Sequence, residues 1–241
     1  MILVDGDIIV YRCGFGADKD RNPSLEFAKY NVKSTINRIV TALHDCKYKI
    51  YLTGKGNYRE KLATLIPYKK SRQGAKKPSY YNELRDYLGV VYDAEIINGQ
   101  EADDALGIEQ CKALQEGRDT ILVSIDKDLD MIPGWHYNFV KDIKYEVSEL
   151  EGYRNFYTQV LLGDKCDDIP GLYRVGKAKA FKLLKDCIDM DEMDVIVTDT
   201  YKKAVKDGRL KLNGVEMELT EDVTVESILK EIKSLLWIKR E

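Results

Sequence analysis

The chain is poor in the residues that build several common kinds of site. It has two histidines, His44 and His136, and neither lies at ligand spacing from another His or Cys, which argues against zinc. Its five cysteines, Cys13, Cys46, Cys111, Cys166 and Cys187, are odd in number, widely spaced and never arranged as CxxC. That excludes a disulfide framework and fits reduced thiols in a cytoplasmic setting. No apolar run approaches the length that spans a bilayer, and Asp5 and Asp7 interrupt the first apolar stretch before it could act as a secretory leader. Internal repeats and low-complexity tracts are absent. The 241 residues, 44% apolar and 33% charged, suffice for one large domain or a domain plus subdomain with a strongly charged surface.

Acid is abundant, and it is grouped. Asp5 stands with Asp7, Glu101 with Asp103 and Asp104, Asp126 with Asp128, and Asp164 with Asp167. Like charges brought together raise one another's pKa unless a cation neutralises them. Sets made only of carboxylates suit hard divalent ions such as Mg²⁺ or Mn²⁺. The net charge of −3 conceals opposite patches. Between Lys55 and Lys77 there are eight basic residues against one acid, Glu60, and Arg174, Lys177, Lys179, Lys182 and Lys185 follow one another with no acid between them.

Hydrophobic periodicity places these groups on elements. Met1–Tyr11 reads as a buried strand, Ala28–Leu43 as a helix, Lys49–Thr53 as a strand. Gly54–Pro78 has weak periodicity, and Tyr80–Leu88 reads as a helix. Val90–Ile97 reads as a strand, Ala102–Gln115 as a helix, Thr120–Ile125 as a strand, and Trp135–Val140 with Lys144–Val147 as a hairpin. After Ser148 the pattern becomes mainly helical, over Glu149–Leu162, Lys177–Asp186, Val195–Lys206 and Val225–Ile238, with a hairpin signal at Asn213-Gly214. Alternating strands and helices imply an α/β core with a parallel sheet, whose ligands bind beyond the carboxyl ends of the strands. Asp5, Glu101 and Asp126 all follow strands, so three of the acidic groups are expected at one sheet edge.

Each motif has a bland reading beside the sharp one. Glu101, Asp103 and Asp104 open a helix, where acids cap free N–H groups, but three acids in four residues exceed what capping needs. Asp126-Lys127-Asp128-Leu129-Asp130 begins like a calcium loop, yet Met131 and Tyr137 occupy the positions that need Gly and Glu. It is a solvated turn or a ligand set. Gly176 followed by a basic helix is a phosphate site or an ordinary solvated helix. Tyr58-Arg59, Tyr68-Lys69-Lys70-Ser71-Arg72 and Lys76-Lys77 interleave rings and cations, as single-stranded nucleic acid requires and as any charged loop also allows.

Five motifs taken in order resemble the 5′-nuclease superfamily: Val4-Asp5-Gly6, Tyr68-Lys69-x-x-Arg72, Glu101-Ala102-Asp103-Asp104, Ser124-Ile125-Asp126-x-Asp128 and Gly163-Asp164-x-x-Asp167-x-Ile169-Pro170-Gly171. Its flap endonucleases, the 5′-nuclease domain of bacterial DNA polymerase I and the small bacteriophage 5′→3′ exonucleases share this order over roughly residues 1–185. The resemblance implies a PIN-like core over residues 1–148, with a helical arch at about 54–88. A helix–three-turn–helix DNA-binding subdomain and C-terminal helices would fill residues 149–241. It implies Asp5, Glu101, Asp103, Asp104, Asp126, Asp128, Asp164 and Asp167 as ligands of two Mg²⁺ or Mn²⁺ ions, and Tyr68, Lys69 and Arg72 as arch residues at the scissile phosphate. Arg59, Lys76, Lys77, Gly176, Lys177, Lys179 and Lys182 become nucleic-acid contacts, with K⁺ at the helix–three-turn–helix in some members.

Two departures stand out: Thr53-Gly54 replaces the usual Asp after the second strand, so that either one metal is held more weakly or Asp7 supplies that oxygen, and Arg174-Val175-Gly176 replaces Gly-x-Gly. The expected activity is metal-dependent 5′→3′ exonuclease and 5′-flap endonuclease action on DNA, in the host cytoplasm if a phage encodes it, with RNA annealed to DNA as a further substrate. A PIN-type ribonuclease acting on single strands and a non-catalytic DNA-binding protein are the alternatives.

Overall fold

The computed structural model describes all residues from Met1 to Glu241. The chain divides into two compact units: Met1–Asn57 with Lys76–Val147 and Ile238–Glu241, and Tyr58–Ala75 with Ser148–Trp237. Tyr58–Ala75 lies in the second unit, apart from the residues that flank it in the chain. No helix is long and apolar enough to cross a membrane.

The first unit is built on a six-stranded sheet. β1 (Ile2–Asp5) lies between β2 (Tyr48–Asn57) and β4 (Ile121–Val123), and the full order is β3-β2-β1-β4-β5-β6, with β3 at Glu95–Gly99, β5 at Gly134–Asn138 and β6 at Ile143–Val147. The first five strands run parallel, and β5 and β6 form the antiparallel hairpin at the edge. Ile2, Leu3 and Val4 are almost wholly buried, as a central strand covered on both faces must be. The chain leaves β1 towards β2 and β3 and returns to β4 on the other side. The switch point of this sheet therefore lies between the carboxyl ends of β1 and β4.

Two strands are shorter than their composition suggests. β1 ends at Asp5 because the Asp5 carboxylate accepts the Ile8 amide at 3.1 Å and caps α1 (Gly6–Asp18). Ile9, Val10, Cys13 and Ala17 are its buried stripe, so Ile8–Val10 belongs to a helical period, not to a continuing strand. Gly6 is required there, since a Cβ would lie 2.6 Å from the Tyr51 carbonyl. Val90 and Val91 form the last turn of α4 (Tyr81–Tyr92) with Val90 largely exposed, and β3 starts only at Glu95. The remaining helices of this unit are α2 (Leu25–Leu43) and α5 (Ala102–Gln115).

The second unit holds α3 (Tyr58–Leu62), a 3₁₀ turn at Lys70–Arg72, α6 (Glu149–Leu162), α7 (Lys177–Leu184), α8 (Met190–Lys203) and α9 (Val225–Leu236). α6 packs against α7, α8 and α9. The segment expected as a helical arch is thus the end of β2, one five-residue helix, the 3₁₀ turn and α4. α8 begins earlier than its apolar pattern suggests, because Asp189 accepts the Glu192 amide and the acidic stretch forms the first helical turn.

Between α6 and α7 the chain makes a two-residue ladder, β7 (Gly163–Asp164) against β8 (Ile169–Pro170). Its glycines are steric necessities: a Cβ on Gly171 would lie 1.9 Å from the Leu162 carbonyl carbon, and one on Gly163 2.2 Å from the Gly171 nitrogen. Gly171→Ala should therefore cost about 3 kcal/mol in denaturant unfolding. A loss below about half a kcal/mol, the range of ordinary surface changes, would mean that the two backbones are not in close approach. β9 (Val205–Lys206), β10 (Arg209–Leu212) and β11 (Val215–Glu218) complete the unit, the last two turning at Asn213-Gly214.

Candidate metal centre and nucleic-acid interface

At the sheet's switch point Asp5 is 3% exposed, with one oxygen accepting from Ile8 N and the other from the Ser124 hydroxyl at 2.8 Å. The Ser124 oxygen in turn accepts the Asp126 amide at 3.0 Å, and Asp126 accepts the Asp128 amide at 3.0 Å. This hydrogen-bonded series fastens the turn after β4 to the end of β1 and sets Asp126 and Asp128 at the same edge. The Asp5 carboxyl is raised from 3.8 to about 7, chiefly by burial and in smaller part by the charges of Asp7 and Asp126, against the pull of the Ile8 and Ser124 hydrogen bonds.

The other side of the edge is organised by Asp7. It accepts Arg85 Nη1 at 2.8 Å and the Thr53 amide at 2.9 Å, while Arg85 Nη2 donates to the Thr53 carbonyl at 2.6 Å. The Thr53 hydroxyl accepts the Ala102 amide at 3.0 Å, which brings the start of α5, with Glu101 and Asp103, beside the end of β2. An acid at Gly54 would force the backbone to shift, because a Cβ there would lie 2.6 Å from the Ile97 carbonyl oxygen and 2.3 Å from Asn98 Oδ1, which accepts the Lys55 amide. Asp7 stands at this edge in an ion pair with Arg85. Arg85 is a site residue that no motif signalled; its only sequence sign is an arginine on the otherwise apolar-patterned α4.

Asp104 is not available as a ligand. It is fully buried, with one oxygen accepting the Lys239 amide at 3.0 Å and the other the Glu101 amide at 3.3 Å, so its work is capping α5 and holding residues after α9. As arranged, no three Asp, Glu, His or Cys side chains close around a point from which they could hold one ion. The acids at this edge are Asp5, Asp7, Glu101, Asp103, Asp126 and Asp128. The donor set nonetheless fits a hard cation. It is all oxygen, and its central member is a desolvated carboxyl flanked by two like charges, a combination that a divalent ion relieves.

Asp164 and Asp167 belong to the second unit. Asp164 accepts the Cys166 amide at 2.7 Å within the short turn between β7 and β8. Asp167 is the counter-ion of the basic motif: Tyr68 donates to it at 2.9 Å, Lys69 Nζ lies 3.5 Å and Arg72 Nη2 3.2 Å away, and its carbonyl accepts the Lys69 amide. In this state Asp167 is an ion-pair partner rather than a ligand. Burial works against the Arg72 charge, but Asp167 raises its pKa above the ordinary arginine value. Arg59 is corrected outright. It is 2% exposed and donates to the carbonyls of Leu235 at 2.9 Å and Trp237 at 2.7 Å, so it ends α9 and cannot reach nucleic acid.

Lys76 and Lys77 are exposed residues of the first unit, Lys77 lying 4.3 Å from the Tyr81 ring centroid. Lys177, Lys179 and Lys182 are exposed along α7, whose first turn has no side-chain cap at Gly176. Arg174 takes the left-handed conformation, φ +58°, that a glycine would hold without strain, and its guanidinium lies 5.1 Å from the Tyr173 ring centroid. The turn is thus kept despite the substitution. Arg174→Gly should leave stability unchanged or raise it by about 1 kcal/mol while weakening duplex binding in a titration. Unaltered affinity would assign this arginine no contact with DNA.

No family model matches the chain. A 5′-3′ exonuclease of Buchnera aphidicola is 28% identical over 204 residues, 77% of this chain and 69% of the relative. DNA polymerase I of Bacillus caldotenax is 28% identical over 208 residues, 77% of this chain and 23% of the polymerase, so the chain spans about a quarter of that relative. Among solved structures, the bacteriophage T5 flap endonuclease in a pseudo-enzyme–product complex with DNA and metal ions superposes with a TM-score of 0.61. It is 14% identical, with 98% of each chain covered. A T5 5′-exonuclease with bound zinc gives 0.63 at 14% identity, covering 98% of this chain and 99% of that one. These structural likenesses establish the α/β fold with its mostly parallel sheet.

Proposed function

We propose, from its membership of the 5′-nuclease superfamily, that this chain is a divalent-metal-dependent 5′→3′ exonuclease and 5′-flap endonuclease acting on DNA. The observation that carries the reading is the Asp5–Ser124–Asp126 series at the switch point of a parallel sheet, with its central carboxyl buried and crowded by like charge. Asp5, Asp126 and Asp128, with Glu101 and Asp103 across the edge, would hold Mg²⁺ or Mn²⁺. Bound there, two such ions would supply charge stabilisation to the attacking and leaving oxygens of an in-line phosphodiester hydrolysis.

The chain's own groups do the rest. Ser124 and the Ile8 amide fix the orientation of the Asp5 carboxylate, and Arg85 pairs with Asp7 at the same edge and offsets part of its charge. Lys69 and Arg72 offer cationic donors for charge that develops on phosphoryl oxygens, a role in which they exchange Asp167 for substrate phosphate. The uncapped amides of α7 and its three exposed lysines hold duplex phosphates without reading sequence.

The test is hydrolysis of an end-labelled 5′-flap duplex. Cleavage leaving a 5′-phosphate should require Mg²⁺ or Mn²⁺ and cease in chelator, with RNA annealed to DNA as a second substrate. Cleavage that continues in chelator, or that acts on unstructured RNA and ignores the flap, would replace this reading with a different nuclease.

A further inference from the structure

The stretch Ile238–Glu241 belongs to the first unit, where it bonds to both segments that carry acids of the carboxylate edge. One is the start of α5. The Lys239 amide donates to Asp104 Oδ1 at 3.0 Å, and Lys239 Nζ donates to Gln100 Oε1 at 3.0 Å. Gln100 and Asp104 bracket Glu101 and Asp103 in the chain, so the two bonds fix the backbone on either side of both ligand candidates. The other is the turn after β4. Arg240 Nη2 donates to the Met131 carbonyl at 2.6 Å, and the Ile238 amide to the Met131 sulfur at 3.4 Å. Met131 closes the 3₁₀ turn Asp128–Met131 that Asp128 opens.

Packing is as close as the hydrogen bonding. Ile238 is buried, and Gly107 on α5 faces it: a Cβ there would lie 2.4 Å from the Lys239 carbonyl oxygen, 3.0 Å from Ile132 Cδ1 and 3.1 Å from Ile238 Cγ2. A glycine inside a helix weakens it relative to alanine, and the contact explains why α5 carries one. The turn is also anchored to the sheet, since Tyr145 on β6 donates to Asp130 at 2.6 Å and His136 Nε2 lies 2.8 Å from the Ile132 carbonyl oxygen. What residues 238–240 add is its tie to α5. Carboxylates set across one edge repel each other, and ligands on separate segments must be held to about half an ångström to share a site.

We infer that residues 238–240 form a clasp that sets the spacing of Glu101 and Asp103 from Asp126 and Asp128, with Lys239 and Arg240 as positioning residues of the divalent-metal site. The inference rests on the nuclease reading, because it takes those four acids as ligands. Outer groups that orient metal ligands typically change metal affinity about 10–100-fold when they are removed.

The experiment is Mn²⁺ binding, followed through the EPR signal of the free ion, in the wild type, Arg240→Ala and Gly107→Ala, with unfolding in chelator measured on the same samples. Arg240→Ala releases the Met131 carbonyl. Gly107→Ala displaces Lys239 while keeping every polar group of the edge. Each should weaken Mn²⁺ binding about tenfold while circular dichroism shows a folded chain, and Arg240→Lys, which keeps a cationic donor, should regain most of the loss. Charge alone predicts the opposite sign, since taking a cation away from carboxylates favours a divalent ion. Tighter binding by Arg240→Ala, or wild-type affinity in either folded alanine variant, would therefore overturn the clasp, whatever stability is lost. A wild type that binds no Mn²⁺ defeats the parent reading instead.

Discussion

Asp5→Asn should abolish most of the flap cleavage and yet make the metal-free protein more stable at pH 8. Burial holds the Asp5 carboxyl protonated to about pH 7, well above the 3.8 of an ordinary side chain. Between those values the folded chain keeps a proton that the unfolded chain has released, so stability falls as pH rises from about 4 to about 7 and stays at the lower level above it. The amide carries no charge to bury, and it can still accept from the Ile8 amide and meet Ser124. Moving a carboxyl's titration midpoint by one pH unit on folding is equivalent to about 1.4 kcal/mol, so a gain of order 2–4 kcal/mol is expected in chelator at pH 8, vanishing by pH 4. Added Mg²⁺ should raise the Tm of the wild type, as any ligand of the native state does, and leave the variant unmoved. Single-turnover cleavage should fall by about 10³-fold. A variant less stable than the wild type at pH 8 would show that Asp5 is a structural acceptor whose charge the fold prefers, and the metal assignment would fall with it.

Lys69→Ala is the second large effect, and it should appear in the rate rather than the affinity. Lys69 is one of three groups on Asp167, and the Tyr68 hydroxyl and Arg72 remain to hold that carboxylate when it is removed. Partly exposed pairs of this kind contribute about 1 kcal/mol or less, so unfolding should barely change. A donor to developing phosphoryl charge is worth about 10²–10³ in rate, and that loss is expected in single-turnover cleavage with duplex affinity altered less than about threefold. Rate and affinity falling together would make Lys69 an electrostatic anchor and leave Arg72 as the better candidate for the chemistry.

Much of the architecture was legible because its determinants are local. Ala102–Gln115 and Glu149–Leu162 follow their apolar spacing and their capping acids without adjustment. The Gly163-to-Gly171 motif is readable for a steric reason: its terminal glycines let two backbones touch. Sequence and structure part where one residue serves two elements. Asp5 reads as the middle of a strand because its capping of α1 is set by a turn that composition does not mark. Val90 and Val91 carry strand-like side chains yet end a helix, since packing of α4 through Leu84 and Leu88 overrides their local preference.

What the sequence determined by itself was the chemistry on offer: acids after strands, a basic motif, a glycine-bounded turn and an uncapped basic helix, each the product of side-chain type and short-range spacing. Tertiary structure decided which of these groups are engaged. Asp104 is committed by the Lys239 amide 135 residues away, Arg59 by carbonyls more than 170 residues on, and Asp7 by Arg85. A carboxylate or a guanidinium has a limited number of hydrogen-bonding positions and a charge whose cost depends on burial. Which positions remain for a ligand is set by distant partners that only the folded chain brings into reach.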